Sequence, residues 1–112
     1  MEGGLMSRTS GYTSGDLPDP AVAVLATLGR PLHGYAIMAF LDERGGPDIT
    51  MGPATLYTTL KKLLSAGFIE EVDDTGKRRP YRRTSSGTAA LNHSLERRHR
   101  LIEFVQTAME EA

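Results

Sequence analysis

Helix-breaking residues cut the first two thirds of this chain at fixed points and so limit what it can fold into. Gly29 with Pro31, then Gly45-Gly46-Pro47, then Gly67 each interrupt an apolar pattern of helical period, which leaves room only for short helices. The first opens at Asp19-Pro20, read as an N-cap acid followed by proline at the first helical position, and carries Val22, Leu25 and Leu28 on one face. The second is expected over residues 32–44, apolar through most of its length and therefore buried on more than one side. The third begins at Gly52-Pro53 and runs to Gly67, with Leu56, Leu60, Leu63 and Leu64 gathered into one core-facing stripe. Its opposite face reads Thr55, Thr58, Lys62 and Ser65, with Tyr57 and Lys61 four apart on a flank. That exposed side is rich in hydroxyls, basic and free of acids.

The period then changes. Residues 68–72 and 79–84 read as two strands joined by an Asp-Asp-Thr-Gly-Lys turn, and Pro80 inside the second places that strand at an edge, because proline cannot donate to a central ladder. A last helix is expected from a Thr84 or Ser85 cap. On it Leu91, Leu95, Ile102, Val105 and Met109 recur in threes and fours, a seam interrupted by Arg98. Such a seam asks for a partner helix, here a second copy of the chain. The first sixteen residues hold nine Gly, Ser or Thr and few apolar side chains, so they read as a flexible tail. The resulting division is a tail over 1–16, a compact unit over 17–84 and a dimerisation helix over 85–112.

A length of 112 residues suits one domain, and 39% hydrophobic residues without a long apolar run argue against a membrane partner. The start has no secretory pattern and the chain no cysteine, so a cytoplasmic location without a disulfide framework or thiolate metal site is expected. No catalytic constellation emerges. His33, His93 and His99 form no ligand set, and Gly45-Gly46-Pro47 lacks the spacing and lysine of a phosphate loop, so neither an enzyme nor a cofactor is expected.

Charge is placed unevenly. Although the formal net charge is only −1, five of the seven residues 77–83 are basic. On its own the run has two readings, a solvated loop or a polyanion contact. Three short helices, a hairpin and a long helix are the element order of a winged helix-turn-helix, whose third helix enters the DNA major groove while the hairpin lies along the backbone. In that frame the acid-free helix face and the basic run meet the same ligand, double-stranded DNA. Thr55, Thr58 and Lys62 are then candidates for base-edge contacts. Tyr35, Tyr57 and Lys61 suit phosphates, and so do Lys77, Arg78 and Arg79 at the wing. For Tyr57, a ring packed between helices is the competing role. A winged helix used only for protein contacts is the competing function, and the near-neutral charge favours it.

The stretch from His33-Gly34-Tyr35 through Thr55-Leu56-Tyr57, Leu63 with Gly67-Phe68-Ile69, and Tyr81 with Thr84 and Gly87 resembles the PadR family of bacterial transcriptional regulators, in particular its short members. The resemblance covers residues 21–95. It implies a homodimeric repressor that dimerises through its C-terminal helix, binds a roughly palindromic operator and releases it when a small-molecule effector or other signal binds. Two positions depart from the family pattern. Thr58 stands where proline is frequent, and Arg83 replaces an apolar strand residue, from which a less firmly anchored strand is expected. The chain also has no tryptophan, the kind of aromatic on which short members stack flat drugs.

Overall fold

The computed structural model describes Tyr12, residues 16–72 and residues 79–111. Its elements are α1 (Asp19–Thr27), α2 (Gly34–Arg44), α3 (Pro53–Ala66), β1 (Ile69–Glu71), β2 (Tyr81–Arg83) and α4 (Ser85–Glu111). The strands form an antiparallel pair in which Glu70 faces Arg82, with Ile69 opposite Arg83 and Glu71 opposite Tyr81. This is a winged helix-turn-helix followed by a long helix, as the element order predicts.

Two helix starts differ from expectation. α1 is capped by extended Pro18, not by Asp19, which lies inside the first turn. There its carboxylate accepts a 2.6 Å hydrogen bond from Arg98 Nη2 of α4 and has no need of the backbone amides. α2 begins at Gly34, because Leu32 is extended and bridges Tyr81: the Leu32 N–H donates to the Tyr81 carbonyl at 3.0 Å, and the Leu32 carbonyl accepts from the Tyr81 N–H at 2.9 Å. The segment ahead of α2 thereby fixes the root of the wing to the helical body. α3 starts at Pro53 and stops at Gly67, whose φ of 80° is the left-handed conformation glycine adopts without a Cβ penalty. That cap turns the chain directly into β1, with the Phe68 amide bonded to the Leu63 carbonyl at 3.0 Å.

The core is one cluster between the helices and the hairpin root. Val24 and Leu25 of α1 with Leu28 just past its end, Ile37 of α2, and Leu56 and Leu63 of α3 are completely buried, and Ile69 and Ala90 close the cluster from the hairpin and α4. Burying each large aliphatic side chain is worth about 1.5–3 kcal/mol before chain entropy is opposed. α4 docks at its N-terminus. Thr84 Oγ1 accepts from the Gly87 amide at 3.0 Å and donates to the Gly67 carbonyl at 2.7 Å, and any Cβ on Gly87 would collide with the Phe68 carbonyl oxygen.

Arg83 does the opposite of what its charge suggested. Its Nη1 donates to the Leu25 carbonyl at 2.6 Å, its Nε to Thr88 Oγ1 at 3.0 Å, and its backbone amide to the Leu28 carbonyl at 2.9 Å. The guanidinium ties β2 to α1 and α4 through donors that an apolar side chain lacks, so the strand is anchored and its register defined. Pro80, expected inside β2, sits buried just ahead of it and contributes only its carbonyl, to the Val72 amide at 2.9 Å. Proline has no N–H to offer the ladder.

Candidate nucleic-acid interface

α3 presents the face its sequence pattern predicts. Leu56, Thr59, Leu60 and Leu63 are buried, while Thr55, Tyr57, Thr58, Lys61, Lys62 and Ser65 are exposed. At 100° per residue, Thr58 and Ser65 point directly away from the core, Thr55 and Lys62 lie toward one edge, and Tyr57 and Lys61 toward the other. No acid stands anywhere on the helix.

On the Tyr57 edge, α3 meets the start of α2 and the root of the wing. His33, Gly34, Tyr35, Tyr57, Arg79 and Tyr81 line one depression of about 260 Å³. Gly34 lets the Tyr57 ring approach closely, since a Cβ at that position would come within 2.6 Å of the Tyr57 hydroxyl and the ring would have to shift. The Tyr57 ring packs over Gly34, as the helix-packing role expects, and half of it (51%) stays open to solvent. Tyr35 is 74% exposed beside it. Burial, with a smaller push from the Glu71 carboxylate, raises the Tyr81 phenol above its usual range and keeps it a neutral donor. Donors from three elements converge on this depression, a composition suited to an anion.

The wing carries its own counter-charges. Arg79 Nη1 lies 3.0 Å from Glu71 Oε1, and Arg82 reaches Glu70 Oε2 through Nη2 at 2.8 Å and Nε at 3.3 Å. Glu70 and Arg82 are direct cross-strand neighbours, which explains why acids precede a basic run. Exposed pairs of this kind are worth about 0.2–1 kcal/mol, little enough for a phosphate to exchange with. Lys77 and Arg78 lie outside the described residues.

The opposite edge holds a residue the sequence reading assigned to the tail. Tyr12 packs against the core cluster, hydrogen bonds with the Thr59 side chain, and places its ring 5.9 Å from Lys62 Nζ. It lines a concavity of about 350 Å³ with Pro18, Pro20, Thr55, Thr58 and Lys62. Burial raises its phenol pKa and the Thr59 bond opposes the shift. The available signal was that Tyr12 is the only aromatic among the first sixteen residues. No local sequence pattern marks His33 and Tyr81; only the Leu32–Tyr81 bridge brings them beside Tyr57.

The expected dimer seam divides. Leu91 is buried in the chain's own core, at 8% exposure, whereas Leu95, Ile102, Val105 and Met109 are exposed together with Leu101 and Phe104. Arg98 interrupts the seam for a local reason, since it binds the Leu17 carbonyl at 3.0 Å as well as Asp19. Among the described residues there is no group of three or more His, Cys, Asp or Glu able to hold a metal, and no helix is long and apolar enough to cross a membrane.

A helix with an acid-free exposed face, seated beside a hairpin wing, defines a winged helix-turn-helix of the kind found in transcriptional regulators. Comparison with known proteins agrees. Residues 23–93 match the model of the transcriptional regulator PadR-like family, and the chain belongs to that family. A PadR family transcriptional regulator from Eggerthella lenta is 29% identical over 82% of each chain, with a TM-score of 0.73. Bacillus subtilis PadR, solved in complex with operator DNA, is 30% identical, with a TM-score of 0.60 over 67% of this chain and 46% of its own. A 37.1 kDa protein of unassigned function from transposon Tn4556 of Streptomyces fradiae is 34% identical over 70% of this chain. The chain spans 24% of that relative's length.

Proposed function

We propose that this PadR-like regulator is a homodimeric repressor that binds a roughly palindromic DNA operator. The observation that carries the reading is the continuous donor surface formed by the exposed face of α3 and the depression lined by Tyr35, Tyr57, Arg79 and Tyr81. α3 enters the major groove, where Thr58 and Lys62, with Thr55 at the edge, face base edges: a threonine methyl suits thymine and lysine suits the guanine acceptors. Tyr35, Tyr57 and Lys61 hold the flanking phosphates, and Arg79 leaves Glu71 for the backbone together with Lys77 and Arg78. The Bacillus subtilis relative solved on operator DNA supports this use of the fold.

The second half of α4 supplies the dimer. Its exposed Leu95, Leu101, Ile102, Val105 and Met109 form an apolar face that a symmetric copy covers, and the two α3 helices then address half-sites about 10 base pairs apart. A small-molecule effector that shifts the dimer between DNA-competent and incompetent arrangements completes the repressor reading, and work on chromosomal DNA places the protein in the cytoplasm. No metal or cofactor is needed for any step.

The test is anisotropy titration against a duplex from upstream of its own gene and a scrambled control at two salt concentrations. Tighter, salt-sensitive binding to the native duplex is the expected result. The alternative, a winged helix for protein contacts, draws on the Arg79–Glu71 and Arg82–Glu70 pairs that already balance the described wing cations. It requires that neither duplex bind even at low salt.

A further inference from the structure

Lys62 is exposed and is the one cation among the three side chains assigned to base edges, yet a lysine is a poor reader by itself. Its ammonium is a point charge on a flexible stem, so an unrestrained Lys62 spreads over many positions above the groove face, and a bond to one guanine acceptor must first overcome that freedom. Here the stem has a neighbour. Tyr12 packs on the core cluster at the margin of α3, hydrogen bonds with Thr59 and holds its ring 5.9 Å from Lys62 Nζ, within range of a cation–π contact. Thr59 is buried, at 4% exposure, and lies one turn before Lys62 on the same edge of the helix. The bond to the first therefore fixes the ring beside the second. Tyr12, Thr55, Thr58 and Lys62 share one concavity whose lining includes no acid, so no carboxylate there competes with the ring for the ammonium.

From this arrangement we infer that Tyr12 is a positioning residue for sequence reading: its ring holds the Lys62 ammonium at the Thr55 edge of α3 and so sets which base pair that lysine addresses. The inference rests on the DNA-binding reading above and deepens it. Tyr12 acts through Lys62 and needs no contact with a base. Without the ring, the ammonium is free to swing toward Ser65 or to a backbone phosphate, and a phosphate contact adds affinity for any duplex without preference for one. A cation–π contact at an exposed site biases the lysine by about two- to fivefold, which sets the size of the effect on discrimination.

The experiment compares the full chain with Tyr12→Phe, Tyr12→Leu, Lys62→Ala and the Tyr12→Leu, Lys62→Ala double variant, reading the ratio of affinities for the upstream duplex and its scrambled control, with melting as the check on folding. Tyr12→Leu keeps an apolar side chain against the core but removes the ring, and is expected to lower the ratio about two- to fivefold. Its salt slope should stay unchanged, because no charge is lost. Tyr12→Phe keeps the ring and should keep the ratio. In the Lys62→Ala background, Tyr12→Leu should have no further effect, because the side chain it acts through is gone. An equal loss in both backgrounds would make Tyr12 a structural support of α3 and overturn the inference. So would an unchanged ratio in Tyr12→Leu, or a ratio in Tyr12→Phe as low as in Tyr12→Leu. A measurement without DNA separates this inference from the reading beneath it: in the free full chain, the ring current of Tyr12 should move the Lys62 ε-methylene protons upfield of the random-coil lysine position. Unshifted protons would remove the contact whatever the duplexes show. Shifted protons in a chain that does not distinguish the duplexes would leave the contact standing and take away the DNA reading, and with it the role given to Tyr12.

Discussion

α3 and the outer half of α4 both turn an uncovered face to solvent, yet the two faces have opposite chemistry. On α3 the exposed positions are Thr55, Tyr57, Thr58, Lys61, Lys62 and Ser65, while on α4 they include Leu101, Ile102, Phe104, Val105 and Met109. Charged and hydroxyl groups tolerate water and exchange it for phosphate or base edges at small cost. Large aliphatic side chains in a row do not, and a patch of them marks a surface made to be covered. On the proposed reading, one helix meets a wet, polyanionic ligand and the other an apolar copy of itself. Exposure alone does not distinguish a binding face from an association face; composition does.

The comparison breaks most completely at α4. Ile102→Asp or Val105→Asp is expected to convert a dimer to monomers in light scattering, and operator affinity should then fall by two orders of magnitude or more as the link between half-sites is lost. A dimeric variant would show that the apolar face is not the seam. Next comes the wing. Replacing Lys77, Arg78 and Arg79 together with alanine should weaken binding to native and scrambled duplexes alike and reduce the salt slope by about three. Loss of preference for the native duplex with nonspecific affinity intact would instead assign these residues to sequence reading. On α3, Thr58→Ala should cost about 1–3 kcal/mol of discrimination between the two duplexes and leave the slope nearly unchanged. Two smaller tests concern how α4 is held. Arg98→Ala removes the bonds to Leu17 and Asp19 and should lower the melting temperature by a few degrees, for a loss of about 1 kcal/mol. Ser94→Ala should raise stability by up to about 1 kcal/mol, because the buried Ser94 Oγ has no hydrogen-bond partner.

Arg83 and Leu91 show where reading along the chain stops. Both were judged by residue type at a position in a pattern. Arg83, a cation in an apolar slot, suggested a loose strand, but its side chain reaches the end of α1, where the Leu25 carbonyl and the Thr88 hydroxyl complete its bonding. Leu91 fits the heptad as well as Leu95 does. Only the close approach of α4 to Phe68, allowed by Gly87, places it in the core. Tyr12 is the same lesson at the candidate site, since a glycine- and serine-rich context hides an aromatic whose partners, Thr59 and Lys62, are nearly fifty residues away.

The sequence by itself determined the helices, the hairpin and the two contrasting faces, because breakers such as Gly45-Gly46-Pro47 and Gly67 and the helical period of the leucines act over a few residues. Tertiary structure alone decided the rest: the Leu32–Tyr81 bridge that gathers His33, Tyr57 and Arg79 into one depression, the Arg83 and Arg98 ties, and the place of Tyr12 at the edge of α3. Those contacts join residues far apart in the chain, and their energy depends on geometry that exists only once the core has closed.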